Sequence, residues 1–425
     1  MIKILIKLLL LFWILFGCNI SDSSPSNSIA SSASSNINKP SSIALQMPSI
    51  TPVPSVTIRS RKTIIYEDSI VTTVIKSDEL LPYDVWVEDK FIYVANGTKK
   101  TLSKIDMNTR QIVKTFSFEG SCTGVTGDIE GNIYTLIHIG YYSGGQKIIK
   151  ILKDDVVTII KHLPALGYNT DLLFTAGTDA TADKTGCVVK DNNLLLPNSH
   201  FIDSLNLNSL EITRLAGRLA TIDKTLPDKE GKALEILFSC CINDIDTDSK
   251  GDFYFCGDNI QKFSNGYITT IVSGYPSKVI ENNWMGIDGE ITAATVNRPD
   301  GIAIDKTRNY IYFSNGTDNT IRKISIKEGK ITTVGGKSIA IYRTDEFKHS
   351  YLYGNYKDGK SDEAMFNTPG GLAVDKEGNV YVADGGNNAI RKITFPESSD
   401  SSLTPSLYPS PTPLSSPSAI ATATP

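Results

Sequence analysis

Two stretches near the C-terminal end, PDGIAIDKTRNYIYFSNGTDNTIRKI (299–324) and PGGLAVDKEGNVYVADGGNNAIRKI (369–393), are copies of one phrase separated by a single inserted residue. A repeat of this length decides the fold, because one unit cannot bury its apolar face alone and must stack on its neighbours. Each copy opens with Pro and Gly and then alternates, Ile302 and Ile304 in one and Leu372 and Val374 in the other. That is the period of two of a β-strand. Asp305 or Asp375 begins a tight turn, where a short carboxylate bonds its own backbone and Gly378 takes positive φ at little cost. A β-branched and aromatic strand follows (311–314 or 380–383), then a third at 321–324 or 390–393. The first copy adds a fourth, KITTV (330–334). Four short antiparallel strands make one propeller blade.

Fainter copies lie upstream at 82–105, 122–151, 187–217 and 242–274, which brings the count to six. The last unit stops after Ile393 without a fourth strand, whereas SIVTTV (69–74) matches ITTV (331–334). The expected fold is therefore all-β: a six-bladed β-propeller of four-stranded antiparallel blades, its ring closed by an N-terminal strand (about 69–76) that joins the last blade. Such a closure leaves no large open edge.

These motifs resemble the NHL-repeat family of β-propellers. The resemblance is carried by PDGIAID (299–305) with IRKI (321–324), and by PGGLAVD (369–375), GNVYVAD (378–384) and NAIRKI (388–393), with the lead-in GKSDEAMFNTP (359–369). The family fold hosts both binders and enzymes. Propellers of related shape include calcium-dependent lactonases, and an NHL-like amidating lyase uses histidine-bound zinc.

The flanks have a different composition. Lys3 and Lys7 precede an apolar run, Leu8 to Phe16, which is short for a membrane span. It ends in LFGC (15–18), which resembles a bacterial lipobox and implies lipidation of Cys18. Residues 1–17 are read as a lipoprotein signal peptide. The lipidated Cys and a Ser/Pro/Asn-rich tether fill 18–60, the propeller 61–396, and a Ser/Pro/Thr-rich tail 397–425. The expected location is the exported side of the cell membrane or outer membrane, with the membrane met only through the lipid.

The formal net charge of −4 gives no basic footprint for nucleic acid. Arg322-Lys323 and Arg391-Lys392 recur once per blade and read as solvated strand faces. Cys122, Cys187, Cys240, Cys241 and Cys256 are an odd number without a C-x-x-C pair. They read as buried free thiols, with a Cys240–Cys256 bridge as the alternative. Asp305, Asp375, Asn319 and Asn388 recur in register, which marks turn geometry rather than an asymmetric site.

The long segments 164–182, 218–236, 275–296 and 337–366 connect outer strands to the next inner strands and are expected on one face, around the channel mouth. Their aromatic residues, Tyr275, Trp284, Tyr342, Tyr351, Tyr353 and Tyr356, are the candidate ligand-binding set, because a ring offers apolar area with a polar tip. Of four histidines, His138, His162, His200 and His349, no three converge by position, so zinc chemistry finds no set. Asp84, Asp244 and Asp300 begin inner strands and are the weak candidates for a calcium site at the channel. No catalytic motif and no cofactor are indicated. The sequence therefore points to a monomeric binder of a protein, peptide or glycan, with a calcium-dependent hydrolase, lactonase-like enzyme or lyase as the alternative.

Overall fold

The computed structural model describes residues 64–139, 145–163, 186–198, 201–218, 230–238, 242–274, 286–337, 339–342 and 350–396. Cys18, Tyr275, Trp284, His200, His349, Cys240 and Cys241 lie outside them. Six antiparallel sheets follow one another along the chain as six blades. Their inner strands are Asp84–Glu88, Ser121–Gly127, Val188–Lys190, Asp244–Thr247, Gly301–Asp305 and Pro369–Val374. Each blade then adds a second, third and outer strand in sequence order. The last blade takes its outer strand, Ile70–Lys76, from the other end of the chain. That strand pairs antiparallel with Ala389–Thr394, from Ile70 opposite Thr394 to Lys76 opposite Ala389.

The core is distributed between blades. Each of six buried apolar clusters fills one blade interface, for example Ile302, Ile304 and Ile324 with Cys256 and Val272 between blades four and five. The cluster of Val85, Val94 and Ile105 with Ala373, Ala383 and Ile390 joins blade one to blade six. Cys122, Cys187 and Cys256 are buried free thiols, so Cys256 is not bridged to Cys240.

Blades four, five and six carry a fifth strand. The segment leading into each blade first runs along that blade's outer edge: Gly231–Lys232 pairs with Tyr267–Val272, Gly289–Glu290 with Lys330–Gly335, and Gly359–Lys360 with Ile70–Lys76. Each then plugs an apolar residue into the core before it returns to the axis, Phe238, Val296 and Phe366 respectively. The described parts of these long segments thus cover blade edges instead of crowding the channel mouth.

This arrangement overturns the solvated reading of Arg322 and Arg391, which are 2% and 0% exposed. Period two sends Arg and the following Lys to opposite faces of the third strand, and the lead-in segment folds over the Arg face. The Arg322 guanidinium donates to Asp288 Oδ1 at 2.8 Å, to the Thr295 carbonyl at 2.8 Å and to the Ile287 carbonyl at 2.6 Å. Arg391 donates to Asp384 at 2.8 Å, Asp358 at 2.6 Å and the carbonyls of Lys357 and Met365 at 2.8 and 3.0 Å. A planar fork of five donors is suited to clamping such a segment. The recurring turn residues behave as expected. Asp305 accepts the N–H groups of Thr307 and Arg308, Asp375 accepts that of Asn379, and Asn319 and Asn388 sit at φ of 55° and 52°.

Candidate functional site

All six inner strands contribute to one axial cavity of about 240 Å³. Asp84, Asp244 and Asp246, with the turn residues Asp305 and Asp375, bring carboxylates to it, and Cys187, Val125 and Leu372 supply apolar wall. Asp84 and Asp244 are 6% exposed.

The backbone explains why two carboxylates survive there. Asp84 Oδ1 accepts the N–H of Val85 at 2.8 Å, and Oδ2 accepts that of Val125, in blade two, at 2.9 Å. Asp244 repeats the arrangement with Ile245 at 2.8 Å and with Ile302, in blade five, at 2.8 Å. Each also abuts a glycine on its other side. A Cβ at Gly371 would lie 2.0 Å from Asp84 Oδ1, and one at Gly186 would lie 1.7 Å from Asp244 Oδ1. Asp84 therefore bridges blades six, one and two, and Asp244 bridges blades three, four and five. Inner-strand amides that face a neighbouring blade have no ladder partner, and a carboxylate oxygen satisfies them.

The electrostatic cost shows in their titration. Burial raises the Asp84 pKa to about 7, against the lowering effect of the Val125 and Val85 amides and with a further rise from Asp246. Burial and the charge of Asp84 raise Asp244 well above the ordinary carboxylate range.

Asp300 does not join them. Gly301, opposite Ser314, holds the place in blade five that Asp84 holds opposite Ala95 and Asp244 opposite Cys256. Asp300 is one residue earlier, so the pleat turns it away from the axis, toward Gly316. The carboxylate missed from sequence is Asp246, whose Oδ2 accepts the Ile304 N–H at 2.8 Å. Its spacing of two from Asp244 along a strand was the available signal.

Among the described residues no group of three His, Cys, Asp or Glu side chains is placed to chelate an ion. His138 ends the second strand of blade two, and burial lowers its pKa to about 4. His162 lies on the outer strand of the same blade, opposite Lys147 and away from the axis.

Of the aromatic candidates, Tyr342, Tyr351 and Tyr353 lie on a hairpin, Ile339–Tyr342 with Ser350–Tyr353, where Tyr342 pairs with Ser350, Tyr351 with Ile341 and Tyr353 with Ile339. Tyr356 belongs to the edge of blade six. Its hydroxyl is 2.7 Å from Thr73 Oγ1, with the Lys76 ammonium 3.8 Å and the Arg391 guanidinium 4.9 Å from its ring. It is 37% exposed.

The NHL repeat matches residues 366–393, the second strand-turn-strand phrase. No curated protein matches the chain. Among solved structures, a protein of unknown function from Bacteroides thetaiotaomicron is similar with a TM-score of 0.56 and 16% identity, over 77% of this chain and 76% of that one. An auxiliary nutrient binding protein from the same organism is similar with a TM-score of 0.53 and 14% identity, over 77% of each chain. Its counterpart from Bacteroides ovatus gives 0.53 and 16%, over 77% and 76%. At these identities the likeness is one of fold. The chain carries an NHL repeat and closes as a six-bladed propeller.

Proposed function

We propose that this NHL-repeat propeller is an exported, lipid-anchored binding protein that holds a protein, peptide or glycan partner through its long segments without turning it over. The observation that carries this reading is the employment of Asp84 and Asp244. Their oxygens are occupied by amides of their own and the next blade, so the axial cavity is built as a joint between blades. General acid–base or metal-assisted chemistry needs groups directed at a substrate instead. The hairpin with Tyr342, Tyr351 and Tyr353 supplies ring-bearing positions of the kind recognition surfaces use. Likeness to nutrient-binding propellers agrees with a binding role and adds no residue to it.

Two experiments test the reading. Full-length protein retained on glycan and peptide arrays, followed by mass analysis of the eluted ligand, separates capture from turnover. Intact ligand supports binding, and a cleaved or rearranged ligand sinks it. For the anchor, metabolic labelling with palmitate is expected in the parent chain and absent in Cys18→Ser. An unlabelled parent chain would remove the lipid from the account.

A further inference from the structure

A larger concavity lies on the opposite rim, where inner strands turn into second strands. It measures about 910 Å³ and runs beneath blade one, between the turns of blades six and two. That is the upper end of the range of small-ligand sites, about 300–1,000 Å³. Part of its wall is a shortened turn, a form that blade three shares at Asp191 and Asn192. Blades two, four and six use an Asp-x-x-Gly turn, with Gly131, Gly251 and Gly378 at φ of 81°, 90° and 83°. Blade one turns through Asp89 and Lys90 alone, with Asp89 at φ 49°. Glu88 and Phe91, paired across this hairpin, stand where blade six has Asp375 and Asn379. The substitution of Phe91 for the Asn puts an aromatic ring on the groove wall.

The charges of the groove divide into scaffold and surplus. Lys104 and Lys392 belong to the repeat: each is cross-strand from a tyrosine, Tyr93 or Tyr381, as Lys150, Lys262 and Lys323 are from Tyr134, Tyr254 and Tyr312. Both are also ion-paired, Lys104 with Asp155 at 2.7 Å and Lys392 with Asp375 at 3.7 Å, and Lys376 pairs with Asp89 at 3.5 Å. Lys90, Arg110 and Lys153 are the surplus. They come from three different turns, are exposed, and among the described residues no carboxylate pairs with them. Such an asymmetric feature on a repeated scaffold has no repeat geometry to explain it.

The geometry points to a site for a carboxylate-bearing oligosaccharide in this groove. Phe91 offers a ring against which a sugar can rest, with the Lys104 and Lys90 ammonium groups 4.6 and 5.2 Å from its centroid. Lys90, Arg110 and Lys153 meet the carboxylates, and Glu88 and Glu377 accept hydrogen bonds from hydroxyl groups. Mixed signs favour a saccharide over an acidic peptide: a densely charged chain would be repelled by the lining acids, whereas a uronic-acid chain spaces its charges between hydroxyl groups.

The probes are hexamers of galacturonic acid and of mannuronic acid, a neutral malto-hexamer and a glutamate hexapeptide, each titrated calorimetrically into the full chain. Saturable binding of at least one uronate hexamer is expected, weakening with salt. Lys90→Gln/Arg110→Gln/Lys153→Gln should weaken it roughly ten- to hundredfold with an unchanged melting temperature, the sum of three exposed ion contacts. Phe91→Leu, which keeps every charge, should weaken it as well. Saturable binding of neither uronate would overturn the proposal. So would equal affinity for the malto-hexamer or the peptide, or unaltered binding by a folded triple variant. Because the variants change none of Tyr342, Tyr351 and Tyr353, these outcomes leave the proposed partner surface untouched.

Discussion

Asp84 and Asp244 make the same two hydrogen bonds three blades apart, each to the N–H of its own next residue and to an inner-strand N–H of the following blade. The ring is thereby tied as two sets of three blades. The remaining joints are made differently: Ser314 Oγ donates to the Gly370 carbonyl at 2.7 Å between blades five and six. Two acids coexist at the axis although their mutual repulsion costs stability, and each supplies acceptors to two strand amides.

This pair makes stability depend on pH in a definite direction. A carboxyl whose folded pKa is raised adds stability that is fully present below the unfolded value, near 3.8, and lost as pH rises through the folded value, about 7 for Asp84. The melting temperature should fall between pH 4 and pH 8, equivalent to a loss of about 2–4 kcal/mol. Asp84→Asn should flatten that slope. It should also lower stability at pH 5 by about 1–3 kcal/mol, because an amide donor now faces an N–H. A slope unchanged in Asp84→Asn would refute the assignment.

The buried arginines should matter more than their surface-like repeat suggests. Arg322→Ala leaves the Asp288 carboxylate buried without its counter-ion, and a loss of about 3–5 kcal/mol is expected in denaturant unfolding. Lys323→Ala, on the other face and paired with Glu67 at a partly buried site, should cost less, about 1–2 kcal/mol. Equal effects would mean that the lead-in segment is not clamped.

Ring closure gives a third expectation. A chain starting at Ser77 lacks the outer strand of blade six and the partner of Gly359–Lys360. It should expose Ala389–Thr394 as an open edge and aggregate or self-associate in light scattering, whereas a chain starting at Ile64 should stay monodisperse. Identical behaviour of the two would remove the closing strand from the account.

The thiols give a fourth. Burial raises the Cys122 pKa to about 12 and pushes Cys187 and Cys256 well up. Peptide mapping after brief alkylation should find these three unmodified in the folded protein and modified in denaturant. Labelling of any of them under native conditions would contradict their packing.

Repetition made the ring legible: PDGIAID and PGGLAVD (299–305 and 369–375) carry period, turn and register on their face, and the orphan strand at 69–76 exposed its partner. The channel was half legible. Asp84 and Asp244 are found by position, but Asp300 precedes its blade's matching residue by one, and in a pleated strand one residue reverses direction. Arg322 and Arg391 were misread because repetition on a surface and repetition under a covering segment look alike until the covering segment is placed. The lower-rim groove was missed because part of its signal is a deletion, the two-residue turn at Asp89 and Lys90, and an absent residue has no chemistry to notice.

The central claim, that the axial carboxylates join blades and are not directed at a metal or substrate, is tested most directly by calcium titration calorimetry on the full chain at pH 7. A melt with and without chelator should accompany it, in the parent and in Asp244→Asn. The account predicts no stoichiometric calcium heat and a melt indifferent to chelator. A stoichiometric heat that disappears in a folded Asp244→Asn would contradict it and return the axial cavity to catalysis.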